Sequence, residues 1–136
     1  DPWIVIIEYN GMWDPALILG SEKPRGWQVY QSITLVDANS FGLQWANMKS
    51  IIAESVKYAD MVIFNRCKSG MDLGSYRRSM KALNSYVQIV FEDKNGDMMS
   101  SFHTISMLML FRLMTKIMVS GIWMCLKDRK YTQVRR

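Results

Sequence analysis

The chain of 136 residues has the length of one small domain, which excludes a multidomain enzyme, and its 49% apolar and 21% charged residues are typical of a folded protein. With two cysteines and one histidine, the chain has too few ligands for a zinc finger and too few cysteines for a network of disulfides. A reducing compartment, the cytoplasm, is therefore expected. The net charge of +5 favours an anionic partner, but residues 1–97 hold ten Lys/Arg against eleven Asp/Glu, so the excess lies wholly in residues 98–136.

The first elements in chain order alternate between strand and helix patterns. The run Trp3–Glu8 is apolar on both faces and rich in β-branched residues, which favours a buried parallel strand. Asn10-Gly11 is a turn signal, and Asp14-Pro15 predicts an N-cap and the first position of a helix. After a polar loop, Gln28–Asp37 predicts the second strand.

The same alternation continues through the next 55 residues. Ser40 can cap a helix that ends near Ala59, and the later elements are a strand, a helix and a strand at Met61–Asn65, Asp72–Asn84 and Tyr86–Glu92. This order predicts an α/β fold, with a mostly parallel sheet and flanking helices. Such sheets bind ligands at the carboxyl ends of their strands, which here are Glu8–Gly11, Asp37 and Asn65–Lys68.

Four segments match a known pattern in order over about residues 3–92: IVIIEYNGMWDP, ITLVDANSF, ADMVIFNR and KALNSYVQIVF. They contain a strand followed by Glu-x-x-Gly, a Val-Asp-Ala strand end, an Ala-Asp strand leading into Asn-Arg, and a Leu-Asn segment before the last strand. Together they resemble the later half of the GTPase domain of CobW/HypB/UreG-type P-loop GTPases. The resemblance implies that residues 1–97 are a partial GTPase domain of the P-loop NTPase fold.

The resemblance also implies roles for four residues. Glu8 would hold Mg²⁺ through water while the ion bridges the β- and γ-phosphates, and Gly11 would let the backbone approach the γ-phosphate. Asn65 and Arg66 would line the base pocket for guanine. Without the resemblance, a lone Glu at a strand end also fits a solvated residue or a cap, and Asn-Gly also fits a simple turn.

Two departures from the family pattern bear on nucleotide binding. The Asn-Lys-x-Asp base motif has Arg66 in place of Lys and Lys68 in place of Asp, and a lysine side chain cannot accept hydrogen bonds from guanine. No G-x-x-x-x-G-K-[ST] occurs in the 136 residues, so the phosphate cradle is missing. The resemblance implies that the P-loop, and a Cys-rich motif for zinc or another transition metal, would precede Asp1.

We therefore expect a fragment of a GTPase that couples GTP hydrolysis to metal delivery or to a metal-dependent client protein, with the fragment alone inactive. The rival interpretation is a non-catalytic α/β binding module attached to a membrane by its C-terminal helix. Nucleic acid is not an expected partner, because aromatic and basic residues do not interleave on any one strand.

The apolar segment Ile105–Leu126 in the tail, residues 98–136, allows several interpretations, all of which make the tail helical or disordered. A membrane span is disfavoured because Arg112 and Lys116 would each cost about 2.5–3.5 kcal/mol near the bilayer centre. An interfacial helix and an ordinary core helix remain as alternatives. Membrane contact by residues 105–126 is therefore not favoured.

A frameshift is the interpretation of the tail that explains its methionines. Seven of the twelve methionines lie in residues 98–136, and Met has a single codon, ATG. In a frame displaced by one base, its first two bases complete an Asp codon, GAT, whose G ends the previous codon. Codons can be chosen so that a neighbouring frame reads an acidic peptide with turn and strand patterns. We hypothesise that one base was lost near the codons for Asp97 and Met98, which the nucleotide sequence tests directly.

Overall fold

The computed structural model describes residues 4–99 and 121–128. Its elements in chain order are β1 (Ile4–Tyr9), α1 (Pro15–Leu19), β2 (Trp27–Asp37), α2 (Phe41–Lys57), β3 (Met61–Cys67), α3 (Leu73–Leu83), β4 (Gln88–Asp93) and β5 (Gly121–Asp128). The seven elements before β5 confirm the alternation predicted from the sequence.

Local capping explains where the helices begin. The Asp14 carboxylate accepts a hydrogen bond from the Ala16 backbone N–H at 2.8 Å, and Pro15 is the first helical residue of α1, as predicted. The Asp72 carboxylate accepts a hydrogen bond from the Ser75 N–H at 3.0 Å and caps the N-terminus of α3 in the same way. Helix α2 begins directly after Ser40, although the Ser40 side chain makes no capping hydrogen bond.

The described strands form one sheet in the order β1-β5-β2-β3-β4. Strands β2, β3 and β4 pair in parallel, which confirms the predicted α/β fold with a parallel sheet and flanking helices for this part of the chain. The predicted parallel pairing of β1 is wrong, because β1 lies at the sheet edge and pairs antiparallel with β5. Strand β5 also pairs antiparallel with β2, so β1 and β2 run in the same direction with β5 between them.

The helical or disordered state predicted for the tail is wrong for residues 121–128, which form β5. The apolar pattern of this segment does not by itself distinguish a strand from a helix. Its pairing with β1 and β2 shows that residues 121–128 form a strand. Met124 is fully buried against Val5, Ile7 and Tyr9. Residues 100–120 and 129–136 of the tail lie outside the described residues, and none of the described helices has the length and apolarity to cross a bilayer.

The main core lies between the sheet and helices α2 and α3. Phe64 on β3 is fully buried, with its ring centroid 5.1 Å from that of Phe41, 5.3 Å from that of Tyr76 and 5.4 Å from that of Phe91. Such aromatic contacts add about 0.5–1.5 kcal/mol each to the burial of area. Side chains of the opposite parity on the same strands form a second buried cluster: Ile33, Leu35, Met61, Ile63 and Val90.

Candidate functional site

The carboxyl ends of β1, β2, β3 and β4 meet at one edge of the sheet, because these four strands run in the same direction. This is the edge at which open α/β sheets bind ligands. The sequence-predicted site residues Glu8, Gly11, Asn65 and Arg66 all lie there, but the structure separates them into two groups.

Glu8 and Gly11 belong to the first group, which borders a cavity of about 510 Å³ that we call the edge cavity. Its walls come from the end of β1, from the carboxyl-terminal part of β2 and from the kinked helix α2, in which Met48 has non-helical dihedral angles. The lining residues beyond Glu8 and Gly11 are Tyr9, Asn10, Met12, Thr34, Leu35, Val36, Gln44, Met48, Ile51, Ile52 and Ser55. The cavity therefore combines one exposed carboxylate with amide and hydroxyl groups and an apolar wall.

The turn after β1 is held by its own hydrogen bonds. The Asn10 side-chain oxygen accepts from the Met12 N–H at 2.9 Å, and the Asn10 carbonyl accepts from the Trp13 N–H at 3.0 Å. Gly11 sits within this turn without a left-handed φ, so the turn itself does not require glycine.

Asn65 and Arg66 form the second group, at the end of β3. The pairing of β3 with β4 shifts register between Phe64 and Cys67, so that Asn65 and Arg66 lie in a bulge. Asn65 is buried and its carbonyl accepts from the Ala38 N–H at 3.0 Å, whereas Arg66 is exposed and has a left-handed φ of 55°. The bulge thus turns a cationic side chain outward at the carboxyl edge.

Asn39 connects the second group to the end of β2, a role that the sequence analysis missed. Its side-chain amide donates to the Arg66 carbonyl at 3.2 Å and to the Asp37 carboxylate at 3.3 Å. The Asp37 carboxylate also accepts from the Asn39 N–H at 3.0 Å. The signal that could have found Asn39 is its position two residues after the carboxyl end of a predicted strand.

The loop after β3 offers no carboxylate in the position of the family's base-binding Asp. Lys68 occupies that position and is exposed, and Asp72 caps α3 through its Oδ1 atom. Cys67 is buried and its thiol donates to the Phe64 carbonyl at 3.4 Å. Burial raises the pKa of the Cys67 thiol to about 11, so this side chain stays protonated and is a poor metal ligand.

Metal-ligating residues do not cluster in the part of the chain that the structure describes, where no group of three or more His, Cys, Asp or Glu could hold an ion. A Mg²⁺ site at a bound nucleotide does not need such a group, since Mg²⁺ keeps several waters and is bound by one or two carboxylates together with substrate phosphates. Comparison of the chain with protein-family models, with curated proteins and with solved structures gives no match.

Proposed function

We propose that this chain is part of a GTP-binding protein of the CobW/HypB/UreG type, with a P-loop NTPase fold. The complete cytoplasmic protein would couple GTP binding and hydrolysis to metal handling, together with a metal-dependent client protein. The single observation that carries the proposal is the edge cavity, because it contains Glu8 and Gly11 at the carboxyl edge of a sheet with three parallel strands.

The chemistry of the edge cavity fits the phosphate end of a nucleotide. Glu8 is exposed there and would hold Mg²⁺ through water, and the ion would offset the charge of the β- and γ-phosphates. The carboxylate of Glu8 would act as a fixed acceptor for metal-bound water, while the turn at Gly11 would bring backbone close to the γ-phosphate.

The separation of the two groups of site residues fits the length of a nucleotide. Strands β5 and β2 lie between β1 and β3, so three interstrand spacings of about 4.8 Å separate the groups by roughly 14 Å. An extended nucleoside triphosphate has a comparable length. With the γ-phosphate near Gly11, the base would reach the bulge at Asn65 and Arg66, where the exposed Arg66 side chain can donate hydrogen bonds to a purine.

The chain alone lacks the lysine and the glycine-rich loop that would hold the β- and γ-phosphates. We therefore expect no binding of a fluorescent GTP analogue to this chain at micromolar concentration. The complete protein, expressed from the DNA that includes the coding sequence upstream of Asp1, should contain a P-loop and bind the analogue.

In that complete protein, Glu8→Gln should weaken Mg²⁺-dependent nucleotide binding about tenfold or more, because the amide cannot replace the charge of the carboxylate. Glu22→Gln, which alters an exposed acid elsewhere, is the matched control. An upstream sequence without a P-loop, or binding that is unchanged by Glu8→Gln, would contradict the proposal.

A further inference from the structure

A second, smaller cavity of about 220 Å³ lies beside the edge cavity, between the loop after β1 and helix α2. Its lining residues, which together we call the acidic notch, are Met12, Trp13, Asp14, Ser50, Ile51 and Glu54. The acidic notch thus combines an indole ring and apolar side chains with two carboxylates. Neither the resemblance nor the proposed GTP site assigns it a role.

The walls of the acidic notch are fixed by contacts outside it. The Trp13 ring meets the Tyr9 ring edge to face, with centroids 5.9 Å apart, and the Tyr9 hydroxyl donates to the Asp14 carbonyl at 3.0 Å. Hydrogen bonds within the turn at Asn10 hold the backbone of Met12 and Trp13. Trp13 therefore stays 59% exposed while its position is restrained, so a ligand would bind at little cost in side-chain entropy.

The two carboxylates of the acidic notch have no basic partner within residues 4–99. Asp14 uses one oxygen to cap α1, which leaves the other for a ligand. The nearest lysines along α2 point elsewhere, because Lys49 lies over the Trp45 ring at 5.1 Å and Lys57 over the Tyr58 ring at 5.2 Å. The acidic notch therefore has negative charge that the described part of the chain does not neutralise.

A guanidinium group matches this combination of an indole ring and two carboxylates. Its planar face stacks on an indole ring, and its five donors can serve two carboxylates at once, whereas an ammonium is a compact point charge. The aliphatic stem of an arginine would lie along Met12 and Ile51. We infer that the acidic notch is a docking site for an arginine side chain of a partner protein.

The surface beside the acidic notch indicates that the arginine belongs to a protein segment. Met12 is 57% exposed, Trp13 59% and Leu17 67%, all within six residues of the sequence. Exposed apolar side chains that lie together on a surface are typical of protein-binding sites. The partner segment would place apolar residues on this surface next to the arginine, and the proposal does not depend on GTP binding.

The experiment uses the full chain labelled with ¹⁵N and the blocked tripeptide acetyl-Leu-Arg-Leu-amide, with binding followed by amide and indole N–H chemical shifts. We expect shifts concentrated at residues 12–14 and 50–54 and at the Trp13 indole, and binding at least fivefold weaker for the uncharged citrulline tripeptide. Glu54→Gln and Asp14→Asn should each weaken binding two- to fivefold, and Asn at position 14 can still cap α1. Glu22→Gln, an exposed acid outside the acidic notch, should leave binding unchanged.

Equal binding of the citrulline tripeptide, an equal effect of Glu22→Gln, or the absence of shifts at residues 12–14 and 50–54 would overturn the proposal. Equal binding of the corresponding lysine tripeptide would overturn the assignment of arginine. Free L-arginine that binds tighter than the tripeptide would identify a small-molecule site and would overturn protein docking.

Discussion

Arg66 has an unfavourable backbone conformation, with a φ of 55° that brings its Cβ too close to backbone atoms. The Asn39 side chain holds the Arg66 carbonyl at 3.2 Å, so a contact from the neighbouring strand end supports the strained residue. We expect Arg66→Gly to raise the free energy of unfolding by about 0.5–1 kcal/mol, measured by urea denaturation, because glycine has no Cβ and the arginine side chain is exposed.

Arg66→Ala is the matched control for this prediction, since it removes the same side chain but keeps Cβ, and it should give no gain in stability. An equal gain for both variants would mean that the arginine side chain, and not its φ, is unfavourable. Both variants should weaken nucleotide binding by the complete protein if Arg66 lines the base pocket.

Cys67 makes the stability of the fold depend on pH in the alkaline range. Burial is the largest cause that raises the pKa of this thiol from 9.0 to about 11, so the folded state holds the proton more tightly than the unfolded state. The stabilisation is fully present below pH 9 and is lost as the pH rises from 9 to 11. Urea denaturation of the wild type at several pH values should show this decline.

Cys67→Ala removes the titrating thiol and isolates its effect from those of lysine and tyrosine side chains. The variant is less stable at every pH because it loses buried volume, but its stability should fall less steeply than that of the wild type above pH 9. Parallel pH profiles for the two proteins would contradict the assignment to Cys67.

Among the elements, α2 and α3 are joined by the contact between the Phe41 and Tyr76 rings, with centroids 4.7 Å apart, and by the side chain of Asn84. The Asn84 amide, directly after α3, donates to the carbonyls of Val56 and Ala59, each at 3.1 Å, and thereby links the end of α3 to the C-terminal turn of α2. We expect Asn84→Ala to lower the free energy of unfolding by about 1–3 kcal/mol, because two partly buried hydrogen bonds are lost.

Asn47→Ala is the control for Asn84, since the Asn47 amide also bonds a helix carbonyl, that of Leu43, but on the exposed surface of α2. Its effect should stay within about 0.5 kcal/mol. Similar losses for the two variants would show that the bonds from α3 to α2 contribute no more than a surface hydrogen bond.

The elements before Met98 could be predicted from the sequence because their signals are local. Asp14-Pro15 marks the start of α1, and the alternation of apolar runs with amphipathic segments places β2, α2, β3 and α3 to within three residues. The extension of β3 to Cys67 through a bulge has no such signal, since Arg66 is not a residue that usually takes a left-handed φ.

The candidate site could be predicted only as an edge of the sheet. The rule that ligands bind at strand carboxyl ends places Glu8, Gly11, Asn65 and Arg66 together, and the structure puts all of them at that edge. The distance between the two groups depends on which strand lies between β1 and β2, and that is a long-range pairing without a local signal. The sequence did not predict which α2 residues line the edge cavity either, because the packing of the helix on the sheet determines which of its faces borders the cavity.

For the whole molecule, β5 joins the two parts of the sequence that differ most in composition. Its residues come from the basic, Met-rich segment after residue 97, yet they lie between two strands of the nearly neutral segment before it. Both neighbours of β5 run in the same direction, so among the described strands β5 is the one that runs antiparallel to the others. If this segment arose from a frameshift, β5 pairs with β1 and β2 only because its residues have the apolar pattern of a strand, and not because they were selected to do so.

Met124→Asp tests whether β5 holds β1 in the sheet. Met124 is fully buried against β1, α1 and the first residues of β2, and a carboxylate there would lose its hydration without a partner, which costs several kcal/mol. Met124 is not part of the core cluster between β2, β3, β4 and helices α2 and α3. We therefore expect hydrogen–deuterium exchange to accelerate at residues 4–9 and 121–128, while residues 61–67 and 88–93 stay protected.

Met99→Asp is the control, because Met99 is 41% exposed and a charge there stays hydrated. Among the described strands, β1 pairs with β5 alone, so protection of the β1 amides reports directly on that pairing. Unchanged protection of β1 in Met124→Asp would mean that another segment holds this edge of the sheet. Because Glu8 and Gly11 lie at the end of β1, the same measurement decides whether β5 maintains the position of the proposed phosphate site.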